Sequence, residues 1–211
     1  MLEAEHNLHD LLGEAIADDS WLVTARPNQL PPPGDDWFIW ALLAGRGFGK
    51  MRNLSEFAFD HVVRGVARRI APVAATAADC RDVLVEGPSG ILACSPDWNR
   101  PIYEPSKRRL TRPCGAIATT FSADEPERLR GPQHDLAAVD WVGSWRRPEA
   151  WDNLMFGLRL GDHPRCAVAT APRPTRLIRD LLAREGGDIV VTRGTSFENR
   201  DTRPWCGSLS N

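Results

Sequence analysis

The sequence predicts an α/β fold with a largely parallel central sheet flanked by helices. Short apolar runs of strand length alternate along the chain with segments whose apolar residues have helical spacing. Strands that are apolar throughout are typical of a parallel sheet that is buried on both faces. The composition, with 42% hydrophobic and 26% charged residues in 211, is that of an ordinary globular protein. These observations together favour one α/β domain.

The first predicted elements surround a glycine-rich turn. Residues 2–17 have the spacing of an amphipathic helix, and a proline-rich connector follows at residues 26–34. Residues 38–43 predict a strand and residues 50–64 predict a helix, with three glycines between them. The order strand, glycine turn and helix is the one that a phosphate-binding loop needs.

The rest of the chain continues the alternation. Thr76 as a helix N-cap and Pro148 at a helix start favour two of the boundaries. A hairpin is predicted around residues 113–115. The predicted strands are 70–74, 102–104, 108–111, 116–121, 136–139, 166–171 and 188–192, and the predicted helices are 76–85, 148–160 and 175–184. We therefore expect an N-terminal helix in residues 1–20, one domain in 21–200 and a polar tail in 201–211.

Charge and hydropathy exclude several classes of protein. A formal net charge of -2 excludes a generally basic nucleic-acid coat. The longest apolar run, residues 37–45, is too short to span a bilayer, and the acidic N-terminus is unlike a secretory signal. The five cysteines are widely spaced, which fits reduced thiols in a cytosol. The sequence thus predicts a cytoplasmic protein without a membrane segment.

A phosphate-binding loop is predicted at residues 44–51, which have the sequence A-G-R-G-F-G-K-M. Compared with the pattern G-x-x-x-x-G-K-[ST], the segment keeps Gly49 and Lys50 but has Ala44 at the first glycine and Met51 at the hydroxyl position. That hydroxyl normally holds Mg²⁺, and methionine sulfur is a poor ligand for this hard cation. The segment favours phosphate binding and weakens metal binding. An ordinary glycine turn with an incidental lysine is the alternative.

The backbone and the side chains of this loop have separate predicted roles. Gly45, Gly47 and Gly49 let the chain turn sharply and direct its amide groups at phosphate oxygens. Lys50 would reach the terminal phosphates, and Arg46 would offer them a second positive charge. Lysine is rare here, because nearly all of the 26 basic residues are arginines. A lysine at this position therefore favours a functional role.

An acidic residue at the end of a second buried strand completes the predicted site. Asp140 follows the apolar residues 136–139 and would hold Mg²⁺ directly or through water. A glutamate that polarises the attacking water usually comes next, and here that residue is Trp141. Loss of a general base costs roughly 10²- to 10⁴-fold in rate. The alternative for Asp140 is an acid that merely caps a strand end.

Several segments together resemble the ATPase domain of the phage large terminase subunit, the motor that packages viral DNA. The similarity is greatest to the form found in prophages and gene transfer agents, and it covers about residues 21–203. It rests on the segments 26–34, 43–50, 104–110, 121–133 and 170–175, which stand in the family's order around Asp140. The resemblance implies a P-loop NTPase fold of the RecA/ASCE type, with ATP and Mg²⁺ as cofactors.

The resemblance also implies a role for individual residues. Gln29 would contact the adenine edge, Lys50 the β and γ phosphates, and Asp140 the Mg²⁺. Thr170 would sense the γ-phosphate and couple its loss to movement. Arg130 would act as an arginine finger on a neighbouring subunit, a role worth roughly 10³- to 10⁵-fold in phosphoryl transfer. The alternatives are a polar connector residue for Gln29, a strand-end threonine for Thr170 and a surface arginine for Arg130.

For the whole protein, the resemblance implies an ATP hydrolase that powers viral DNA packaging. Its partners would be double-stranded DNA, the portal, the small terminase subunit and further copies of itself in a ring, in the cytoplasm of a bacterial host. Met51 and Trp141 depart from the family's pattern, and the chain stops at Asn211 without the family's nuclease domain. We therefore expect a truncated, catalytically weakened copy without nuclease activity. The alternative is a nucleotide-binding or structural remnant that does not hydrolyse ATP.

Overall fold

The computed structural model of this chain describes residues 21–198. The described residues divide into two units, with the boundary between Leu30 and Pro31. The helix predicted at residues 2–17 and the tail predicted at 201–211 lie outside the described residues. Within the described part of the chain, no helix is both long and apolar enough to cross a membrane.

Secondary structure follows the predicted alternation closely. The helices are α1 (Trp21–Thr24) in the first unit, and α2 (Lys50–Val63), α3 (Ala77–Asp79), α4 (Glu149–Gly157) and α5 (Arg176–Ala183) in the second. The strands described in residues 31–198 are β1 (Ile39–Ala44), β2 (Arg69–Ala74), β3 (Ile102–Glu104), β4 (Arg109–Thr111), β5 (Ile117–Thr119), β6 (Phe121–Ser122), β7 (Leu136–Asp140), β8 (Arg165–Thr170) and β9 (Ile189–Gly194).

All of these strands belong to one sheet, in the order β3-β4-β5-β2-β7-β8-β1-β9, with β6 also paired to β2. Every neighbouring pair is parallel except β3–β4 and β4–β5. The predicted α/β fold with a largely parallel sheet is confirmed, and so is the hairpin at residues 113–115, which joins β4 to β5. One strand, β8, lies between β1 and β7. Because of this order, the carboxyl ends of β1 and β7 lie on either side of the carboxyl end of β8.

The core has two layers, one on each face of the sheet. Along β1, Trp40 and Leu42 pack in a cluster with α2, whereas Ile39 and Ala41 pack in a second cluster with α4 and α5. This alternation is the two-residue period of a strand, and it shows that both faces of the sheet are covered. The helices therefore flank the sheet as predicted.

Two predicted elements differ in type or continuity from those observed. The helix predicted at 76–85 is α3 followed by a π-helical turn, Cys80–Val85, although Thr76 caps it as expected, its Oγ1 accepting a hydrogen bond from the backbone N of Asp79 at 3.0 Å. The strand predicted at 116–121 divides into β5 and β6. Pro72 of β2, which has no N–H to donate, stands opposite the break between them.

The end of β9 packs closely against the glycine-rich loop, at Gly194 and Phe48. A Cβ atom added to Gly194 would lie 2.1 Å from the ring of Phe48, which is fully buried. We expect Gly194→Ala to lower the free energy of unfolding by about 1–3 kcal/mol, because the ring must move to admit the methyl group. Urea denaturation measures the change. Gly187→Ala, whose added Cβ would be 3.3 Å from its nearest atom, is the control, and equal losses in both variants would contradict the packing argument.

Candidate nucleotide-binding site

A tight loop joins β1 to α2, and its glycines are required by the backbone. Gly47 and Gly49 have φ of 77° and 98°, in the left-handed region that favours glycine. At Gly45 the constraint is a close approach, because an added Cβ would lie 2.2 Å from Oγ of Ser196. The loop that the sequence predicts as glycine-dependent therefore needs glycine at three positions, for two different reasons.

The loop ends at the N-terminus of α2, a helix of 14 residues. Gly49 occupies the N-cap position and has no side chain to cap the helix, and no acidic residue stands in the first turn. The positive end of the helix dipole and the amide groups at such a terminus favour an anion. This end of α2 is therefore suited to phosphate.

Lys50 is held beneath the loop. Its Nζ donates hydrogen bonds to the carbonyl oxygens of Ala44 and Gly45, both at 2.7 Å, and the residue is only 9% exposed. Burial lowers the pKa of Lys50, the charge of Arg46 lowers it further, and the charge of Asp140 raises it in part. Burial removes water from around the ammonium, and the charge of Asp140 compensates for only part of that loss. A polyanion bound in the loop would therefore stabilise the charged form of Lys50.

Asp140 ends β7 and is 3% exposed. Its Oδ1 is buried without a hydrogen-bond partner. Burial raises the pKa of the carboxyl to about 7; the charge of Lys50 opposes this rise and that of Asp79 adds to it. A buried carboxylate oxygen without a partner is a fitting ligand for Mg²⁺.

The rest of the site offers that cation little protein coordination. Among residues 21–198, no three His, Cys, Asp or Glu side chains come together as a metal centre. Met51, at the position of the missing hydroxyl, packs against the core cluster beside α2. The residues present fit a Mg²⁺ held by Asp140 that keeps several of its own waters, as Mg²⁺ commonly does.

Thr170 ends β8, between the strand of the loop and the strand of Asp140. Its register partner in β1 is Leu43, while Asp140 pairs with Ala169. Its Oγ1 accepts a hydrogen bond from the backbone N of Gly143 at 3.3 Å and donates one to the carbonyl of Ala171. Thr170 therefore connects the segment that follows Asp140 to the loop that follows β8.

Trp141 has a left-handed backbone, with φ of 52°. Its N–H donates to the carbonyl of Ala169 at 2.8 Å, which continues the contact between β7 and β8. The guanidinium of Arg173 lies over its ring, 5.3 Å from the centroid. The ring is thus directed towards the loop between β8 and α5, and no carboxylate follows Asp140 directly.

Two predicted site residues make their described contacts elsewhere in the chain. Arg130 is exposed and forms an ion pair with Glu127 at 3.0 Å, in the segment between β6 and β7. Gln29 belongs to the first unit, in the short helical turn Pro27–Gln29, where its Oε1 accepts a hydrogen bond from the backbone N of Arg26 at 3.1 Å. The roles of Arg130 between subunits and of Gln29 at the adenine stay predictions.

One acidic residue whose charge reaches Asp140 was not among the site residues predicted from the sequence. Asp79 lies beyond the end of β2, the strand that pairs with β7 on the side opposite β8. It is close enough to Asp140 for its charge to add to the effect of burial on the pKa of that carboxyl. The available signal is an acid that follows a buried strand, as at Asp140, but Asp79 also completes the Thr76 capping pattern and lies inside the helix predicted at residues 76–85.

No protein-family model matches the sequence, and a search of curated proteins finds no match. Solved structures do match. The large terminase ATPase domain of Thermus phage P74-26 aligns with a TM-score of 0.61 and 13% identity, over 81% of this chain and 83% of that one. The large terminase of a thermophilic bacteriophage, in complex with ADP, aligns with a TM-score of 0.68 and 14% identity, over 88% of this chain and 46% of that one. Another crystal form of that terminase aligns with a TM-score of 0.64 and 12% identity, over 88% of this chain and 46% of that one.

The chain thus spans less than half the length of the terminase with ADP and most of the isolated P74-26 domain. At such low identities the similarity establishes the fold alone. This chain has the fold of the phage large terminase ATPase domains.

Proposed function

We propose that this chain binds ATP with Mg²⁺ in the loop of residues 45–50 and hydrolyses it slowly, as the ATPase of a DNA-packaging motor of the large terminase type. One observation carries the proposal. The desolvated ammonium of Lys50 and the unpartnered carboxylate oxygen of Asp140 stand at the same edge of the sheet, beside an uncapped helix N-terminus. Each lacks what Mg²⁺·ATP would supply, which is negative charge for one and a cation for the other.

Each side chain has a distinct task in this proposal. Lys50 moves its hydrogen bonds from the loop carbonyls to the β and γ phosphates, and Arg46 adds charge from the loop tip. Asp140 holds Mg²⁺, which neutralises phosphate charge when bound. Thr170 responds to the γ-phosphate and passes the response to the segments on either side. Gln29 contacts the adenine, and Arg130 acts on the nucleotide of a neighbouring subunit.

We propose the partners that follow from the same similarity. They are double-stranded DNA, the portal, the small terminase subunit and further copies of this chain in a ring, within a bacterial host's cytoplasm. The support is the shared fold with the terminase ATPase domains.

Two residues argue that turnover is slow. Met51 brings no hydroxyl to the metal, and Trp141 brings no carboxylate to the water. The second candidate function is nucleotide binding without hydrolysis. It is favoured by Trp141, which directly follows Asp140, where a carboxylate would be needed for hydrolysis. The ring of Trp141 lies against the guanidinium of Arg173.

Lys50→Ala tests the proposed function. We expect the affinity for Mg²⁺·ATP, measured by calorimetry, to fall roughly 10- to 100-fold, because a charged hydrogen-bond donor to phosphate is lost. Phosphate release should fall to background. The control is Lys107→Ala, which removes the other lysine of the chain, an exposed residue paired with Glu104. Unchanged phosphate release in Lys50→Ala would contradict the proposal, whereas binding by the wild type without any release would favour the second candidate.

A further inference from the structure

The proposed site lacks a carboxylate next to Asp140, yet a second carboxylate lies at the same edge of the sheet. That residue is Asp79. β2 and β7 are parallel neighbours, with Val73 opposite Val139, so the carboxyl ends of the two strands lie side by side. The turn that follows β2 therefore lies at the same edge of the sheet as Asp140.

The segment that carries Asp79 is fixed to β2. Cys80, the next residue, is 1% exposed, and its Sγ donates to the carbonyl of Pro72 at 3.6 Å. Burial is the main cause of the raised pKa of the Cys80 thiol, and the charge of Asp140 adds to it, as the charge of Asp79 adds to the raised pKa of Asp140. The hydrogen bond ties this turn to β2, the neighbour of β7, and the two charge effects are those expected of a turn near Asp140.

The side chain of Asp79 is oriented and open to water. Its Oδ2 accepts a hydrogen bond from the hydroxyl of Thr76 at 2.7 Å, while its backbone N donates to the same hydroxyl. The residue is exposed, unlike Asp140. Oδ1 therefore remains available to accept a hydrogen bond from a water molecule at the mouth of the site.

We propose that Asp79 positions and deprotonates the water that attacks ATP, in place of the carboxylate absent at Trp141. The inference rests on the proposed function. One O–H bond of the water breaks and Asp79 takes the proton, while the water oxygen forms a bond to the γ-phosphorus. The bond from that phosphorus to the β–γ bridging oxygen breaks, and its electron pair leaves with ADP. Asp79 then releases the proton to solvent.

Asp79→Asn tests this assignment with little change in shape. The amide oxygen still accepts from Thr76, so the helix cap remains, but the side chain no longer takes a proton. We expect kcat to fall about 10²-fold and the affinity for Mg²⁺·ATP to change less than about threefold. Affinity for ADP with aluminium fluoride, which imitates the reacting γ-phosphate and its water, should fall about tenfold. The control is Asp82→Asn in the same turn, whose carboxylate pairs with Arg81 at 2.6 Å.

A second background separates a catalytic role from a structural one. In Trp141→Glu a carboxylate returns beside Asp140, so adding Asp79→Asn should then change kcat less than about threefold. An unchanged kcat in Asp79→Asn, or the same loss in both backgrounds, would overturn the assignment while leaving the proposed function intact. Wild-type binding of ATP without turnover would also overturn it, and absence of ATP binding would overturn both.

Discussion

Asp140→Asn is expected to raise the free energy of unfolding of the ligand-free protein at pH 8 by about 2–4 kcal/mol. The pKa of this carboxyl is about 7 in the folded chain, against an ordinary value of 3.8, mainly because of burial. The folded state therefore holds a proton that the unfolded state releases between these values. Stability falls as pH rises through this window, by about 1.4 kcal/mol per pH unit and about 4 kcal/mol in all. Asparagine is neutral and avoids this loss, although Lys50 then loses its counter-charge.

Urea denaturation at pH 4 and pH 8 measures the effect. The two proteins should be nearly equal at pH 4 and diverge as the pH rises, whereas Asp162→Asn, at an exposed position, should behave like the wild type at both. Mg²⁺·ATP at 100 times its Kd should stabilise the wild type by about 2.7 kcal/mol and Asp140→Asn far less. A variant less stable than the wild type at pH 8 would show that Asp140 is a net stabilising group.

The glycine-rich loop and Asp140 were both predictable from the sequence. Each depends on a local signal: an apolar strand followed by glycines and a lysine, or an apolar strand followed by an acid. β1, α2 and β7 were predicted within one or two residues of their observed bounds. The backbone requirements at Gly45, Gly47 and Gly49 are similarly local, except that Gly45 is constrained by Ser196, which is distant in sequence.

The order of strands was not predictable in this way. Nothing within the residues of β8 indicates that it lies between β1 and β7, and the place of β2 beside β7 depends on long-range pairing. Asp79 enters the site only through that second pairing. Its local context, a Thr76 cap and a helix start, accounts for it completely without any catalytic role. Residues that act through sheet order are for this reason missed by sequence reasoning.

Local reasoning also extended elements too far. The helices predicted at 148–160 and 175–184 end at Gly157 and Ala183. Leu158 leaves the helical region, with ψ of 78°, and the chain then pairs with His134, whose backbone N donates to the carbonyl of Gly157 at 2.8 Å. A tertiary contact near the start of β7 ends this helix, and helical spacing carries no information about it.

Restoring the two family residues, Met51→Thr together with Trp141→Glu, is expected to raise kcat by roughly 10²- to 10⁴-fold. The threonine hydroxyl gives the cation a hard oxygen ligand in place of a side chain packed in the core. The glutamate gives the water a base directly after Asp140, in place of the exposed Asp79. Single-turnover phosphate release measures the gain. Met51→Thr with Trp141→Gln, in which the glutamine has a similar shape but Asp79 stays the base, should gain much less.

We expect Arg173 to limit that gain. Its guanidinium lies 5.3 Å from the centroid of the Trp141 ring, so a carboxylate introduced at this position has a cation at hand. An ion pair there would hold the new carboxylate towards the loop between β8 and α5, away from the water. Adding Arg173→Ala should therefore raise kcat further in the restored protein and leave it unchanged in the wild type. An equal gain in both backgrounds would mean that Arg173 limits turnover by itself, and a restored protein that binds ATP with unchanged kcat would mean that chemistry at these two positions is not what slows it.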